Sequence, residues 1–143
     1  MEERRYFTVT EAESFIPRLE TVMGRVRAAH AEAGRLRAAL QGAQRAVMLS
    51  GGARLDQEFW RSRKLGFDRA AERVRQGVGE IVGMGGVPKD LELGLVDFLS
   101  RLGARDVNLC WQLGEKRIRF WHGLDEGYAA RKRIPDTRGK GGA

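Results

Sequence analysis

The chain has 143 residues, enough for one domain with a real core, and a formal net charge of +7. Charges interrupt every apolar run short of the roughly 18 residues a membrane span requires, and the charged opening MEERRYF leads into no apolar stretch, so neither a span nor a secretory signal is expected and a cytoplasmic protein is. The single cysteine, Cys110, excludes an internal disulfide and any zinc site made of cysteines alone.

From the N-terminus, Thr8 and Thr10 each precede a glutamate by three residues, Glu11 and Glu13, the spacing of a capping box that starts a helix. Pro17 falls about two turns later, where it removes an N–H and clashes with the preceding turn, so a kink or restart is expected there. Beyond it Leu19, Val22, Val26, Ala29, Ala33, Leu36, Leu40, Ala43 and Val47 follow in alternating steps of three and four, a coiled-coil stripe on a helix about 50 Å long. Ser50, Gly51 and Gly52 break it with turn chemistry. A second heptad set, Trp60, Phe67, Val74 and Ile81, then predicts a return helix, and the two stripes predict an antiparallel hairpin. Gly24, Ala28, Ala31, Gly34, Ala38 and Gly42 fall on the outward face of the first helix. Exposed helical glycine costs about 1 kcal/mol against alanine, and close approach of a second subunit is one reason to keep it, which makes this face the candidate contact of a homodimer.

Gly83, Gly85, Gly86 and Pro88 close the helical half; they follow a helix, so they read as a cap and turn and carry no phosphate-loop signal. Three strands are expected at residues 95–99, 107–113 and 117–122, the second alternating Val107, Leu109, Trp111 and Leu113 with Asn108, Cys110 and Gln112. Gly114 and Glu115 suit a two-residue type II′ turn. That turn pairs Trp111 with Ile118 and places His122 with Val107, Leu109, Trp111, Ile118 and Phe120. The opposite face then receives Cys110 and Trp121. The expected fold is α+β, a long coiled-coil-like helical hairpin (8–83) packed on a three-stranded antiparallel sheet (84–131), with a basic tail (132–143) disordered after about Pro135.

YFT near the start, KDLELGLVDF, LCWQLGE and FWHGLDEGYAAR together resemble a bacterial domain-of-unknown-function family, over nearly the whole chain. The resemblance implies a small bacterial helical-hairpin-plus-sheet protein and no reaction. Where members often have Pro after the DF pair this chain has Leu99, a departure at a strand end.

The chemistry-bearing residues gather in the strand region. Asp97, Glu115, Trp121, His122, Asp125 and Arg131 are candidate ligand-binding residues, and Asp97, His122 and Asp125 are the candidate metal set, since a His beside two carboxylates holds a divalent cation or acts as an oriented base. No HExxH, CxxC, GxSxG or Walker pattern is present. Cys110, between Leu109 and Trp111, reads as a small buried thiol, because a nucleophile needs a neighbouring cation. The positive charge concentrates elsewhere: residues 17–50 hold six basic residues against two acidic, and the tail from Tyr128 five against one. That placement favours an anionic partner such as RNA or a nucleoprotein. Two functions are thus expected to compete: a non-catalytic binding or adaptor protein using the basic hairpin, and a small-ligand or metal-dependent enzyme with its site among the strands. No cofactor is specified.

Overall fold

Thr8 opens the first helix as its side chain dictates, accepting from Glu11 N while the Glu11 carboxylate accepts from Thr8 N. This short helix, α1 (Val9–Ser14), stops at Phe15, and α2 (Ile16–Leu49) restarts with Pro17 in its first turn, where the missing N–H costs nothing. Asp56 caps α3 (Gln57–Met84) by accepting from the amides of Glu58 and Phe59. The computed structural model describes residues 4–51 and 56–135. Gly52 of the predicted turn and the tail from residue 136 lie outside them.

α3 runs back along α2. Gly77 packs on Val26 and Val22, Gly66 packs on Leu36, and Arg25 pairs with Glu80 at 2.9 Å. Of the first stripe, Leu19, Val22, Val26, Ala29, Ala33 and Leu40 are buried, while on α3 burial begins only at Ala70. The two helices are therefore deeply covered only at the end that meets the sheet. Of the proposed contact face, Gly24 is half-buried and Ala28, Ala31, Gly34, Ala38 and Gly42 are exposed, and an added Cβ at Gly24, Gly34 or Gly42 would meet no atom within 4 Å. Among the described residues no helix is long and apolar enough to cross a membrane.

The sheet has five strands, not three: β1 (Val87–Asp90), β2 (Leu95–Leu102), β3 (Arg105–Gln112), β4 (Phe120–Gly123) and β5 (Lys132–Arg133), all antiparallel and adjacent in chain order. The two additions are edge strands of four and two residues. β1 carries Pro88, which an edge tolerates, and its register shifts between Pro88 and Asp90; neither strand holds enough alternating apolar residues to announce itself. Val96 and Phe98 of β2 with Leu109 and Trp111 of β3 meet Leu19, Val22, Met23, Val26 and Ile81 of the helices in one core. Phe7 and Phe15 close its end against Phe98, all three rings within 6.2 Å of one another.

The register between β3 and β4 also departs from expectation. Cys110 pairs with Phe120, Leu109 with Trp121 and Asn108 with His122. Gln112 O accepts from Glu115 N, so Leu113 and Gly114 (φ +102°) are the turn centre, and residues 116–119 run on before β4 begins. The offset from the expected pairing is an odd number of residues, which sends every β4 side chain to the opposite face. Trp121 therefore packs on the helix-facing core, and His122 joins Cys110.

Candidate metal centre

The turn at Gly103 and Ala104 sets β2 against β3 so that Asp97 lies directly opposite Cys110. His122, opposite Asn108 on β4, reaches the same face one pair along. Side chains alternate along each strand, and Val96, Phe98, Leu109 and Trp111 fill the face toward the helices, so Asp97, Cys110 and His122 share the other. Their exposures are 2%, 1% and 2%. One sulfur, one imidazole nitrogen and one carboxylate oxygen lie within 4.8 Å of one another.

The protons of this cluster follow from its neighbours. His122 Nδ1 is 2.9 Å from Gly123 O, and a carbonyl only accepts, so Nδ1 carries hydrogen. Nε2 then faces Asp97 Oδ2 at 2.9 Å. The approach is close but poorly aligned for a hydrogen bond, and both Asp97 oxygens are buried without a well-directed donor. Burial pushes the Asp97 carboxyl above its usual range, opposed by the neighbouring imidazole and thiol. Burial, and then the Asp97 charge, push the Cys110 thiol up to about 12, with the Arg131 cation pulling the other way.

These facts argue against a cysteine nucleophile. The thiol is held protonated, and the base beside the sulfur is the Asp97 carboxylate, whose charge raises the thiol pKa and so disfavours a thiolate. They fit a cation well. Thiolate, imidazole and carboxylate are the donor types of zinc sites, and a carbonyl on the far imidazole nitrogen is the usual outer support of a metal-binding histidine.

Glu115 and Arg131 form a second pair beside the cluster. Arg131 Nη2 donates to both Glu115 carboxylate oxygens at 2.8 and 2.9 Å and to Cys110 O at 3.1 Å. Glu115 Oε1 also accepts from Gln112 N, and Trp111 Nε1 donates to Glu115 O, so this residue closes the turn from three sides. Asp125 lies outside the cluster, exposed in the turn after β4. Trp121 stands on the opposite face, with Arg105 and Lys132 over its ring. Of the residues expected to ligate a metal, Asp97 and His122 lie together with Cys110, and Asp125 does not join them.

No curated protein and no solved structure matches the chain. The family model described as "Uncharacterized conserved protein (DUF2203)" matches residues 5–134, and the chain belongs to that family.

Proposed function

We propose that this protein binds one zinc-class divalent cation through Asp97, Cys110 and His122. One observation carries the reading: a carboxylate on a central strand is buried with only a thiol and an imidazole to meet it, the three donor atoms lying within 4.8 Å of one another. A buried, under-satisfied carboxylate costs stability unless something positive completes it. The donor set selects a borderline-soft ion such as Zn²⁺ over Mg²⁺ or Ca²⁺, which prefer all-oxygen sites. Bound there, the ion ties β2, β3 and β4 together and displaces the thiol proton.

The test is cobalt(II) and zinc titration of protein purified without a metal-affinity tag, with elemental analysis of the product. One ion per chain is expected, with the thiolate-to-cobalt absorption lost in Cys110→Ser and binding weakened at least about 100-fold in His122→Ala. A wild type that takes up no ion, or whose cobalt spectrum matches that of Cys110→Ser, would remove the proposal.

A second reading rests on a separate observation. All six arginines of α2 are exposed, against only two glutamates on that helix. This supports an adaptor role in which the basic helical hairpin holds an anionic macromolecule such as ribosomal RNA, with the small-residue face of the same helix as the candidate contact of a homodimer. Binding of RNA with an affinity that falls steeply with salt is expected, and no binding at low salt would exclude it.

A further inference from the structure

We infer that residues 124–131 form an openable cover over the Asp97–Cys110–His122 cluster, latched by Arg131 on Glu115 and by Tyr128 on Gln112. The inference rests on the metal reading only for what the cover admits.

Strand parity places the side chains of Gln112 and Phe120 on the same face as Cys110, Asp97 and His122. After β4 the chain turns back along this face. Glu126 N donates to Gly123 O, and Tyr128 OH donates to Gln112 Oε1 at 3.0 Å. The Arg131 guanidinium then stacks 4.1 Å from the Phe120 ring centroid while its Nη2 reaches Glu115 and Cys110 O. Asp97, Cys110 and His122 are almost wholly shielded from solvent, so an ion or reagent reaches the sulfur only if something moves.

The segment is built to move without unfolding the domain. None of residues 124–130 is buried, and Leu124 and Tyr128 are 48% and 40% exposed. Polar contacts hold it where a core would otherwise, the pattern of a low-stability local unit. Arg131 Nε is buried with no partner, so the latch is incompletely satisfied even when closed. The strands below remain tied to the helices through Val96, Phe98, Leu109 and Trp111 when it lifts.

Cys110 is the sole thiol, which makes it a reporter of opening whether or not metal binds. The experiment labels metal-free, full-length protein with a neutral maleimide under native conditions, and in parallel follows transfer of zinc from loaded protein to a chelator. Labelling is expected to accelerate at least tenfold in Arg131→Gln and in Tyr128→Phe, while Leu40→Ala, which weakens the distant helix pair, leaves the rate within twofold. Zinc transfer should accelerate in the same two latch variants, with equilibrium affinity changed far less than the rate. Labelling unchanged in both latch variants, or raised equally by Leu40→Ala, would overturn the cover, since access would then follow global unfolding. If the wild type takes up no zinc, the metal reading fails and the labelling comparison still decides the cover.

Discussion

Asp97 is a poor choice for stability. A valine or threonine at this position would pack among Leu95, Leu99 and Cys110 without burying a charge, and the carboxyl is held above its normal range by the burial it suffers. His122 at 2.9 Å and the Cys110 thiol offset that cost only in part, and a residue that breaks local rules at such a cost is most often kept for function. A direct consequence is that Asp97→Asn in chelator-treated protein should unfold at a denaturant midpoint no lower than wild type, because the amide loses a desolvation cost comparable to the His122 contact it gives up. In the presence of zinc the order should reverse, since a bound ion stabilises by mass action only the chain that can hold it. A loss above about 2 kcal/mol in the metal-free comparison would mean that the Asp97–His122 contact is itself a structural pair.

At the scale of elements, α3 meets α2 without room for a side chain at Gly77, where an added Cβ would overlap Val26. Gly77→Ala should therefore cost about 1–3 kcal/mol by overpacking, although alanine is the better helix former. Gly79, two residues on, has open space around it, and Gly79→Ala should stabilise by about 0.5–1 kcal/mol. Thermal midpoints moving in opposite directions would confirm the contact, and recovery in the double variant Gly77→Ala, Val26→Ala would locate it. The sequence made these helices readable because a heptad stripe repeats over many turns and no single residue decides it. The strands were less readable because one turn decides everything. At Gly103 and Ala104 the turn of two residues pairs Asp97 with Cys110 outright, a signal present in the sequence. At Gly114 the glycine sits at the second turn centre, not the first, and residues 116–119 intervene before pairing resumes. Local turn preference carries no information about that delay, which coincides with long-range bonds from Trp111 and Arg131 to Glu115. The resulting odd offset is why the expected pairing put Cys110 on the face opposite His122, whereas the observed pairing brings the two to one face. Asp125, near His122 in sequence, is left outside because a four-residue strand ends before it.

Across the whole molecule, stability is distributed unequally along the helix pair. The core joins α1, the first half of α2, the second half of α3 and the inner sheet face. Past Leu40 and before Ala70 no described residue of either helix is buried, and Met48 and Leu49 are 75% and 81% exposed. A helix pair without a buried seam is held mostly by its own backbone bonds and by exposed ion pairs such as Lys64–Asp68, each worth well under about 1 kcal/mol. Amide hydrogen exchange should therefore show two regimes in dilute protein: slow exchange through residues 19–33 and 74–84, and exchange at least about 100-fold faster through residues 43–49 and 57–66. The same measurement repeated at high concentration bears on the small-residue face. Protection that spreads into residues 43–49 as concentration rises would mean that a second copy covers the distal half, because nothing within one chain is placed to do so among the described residues. Protection confined to the sheet end at every concentration would leave the distal pair as a solvated arm, its arginines open to an anionic partner.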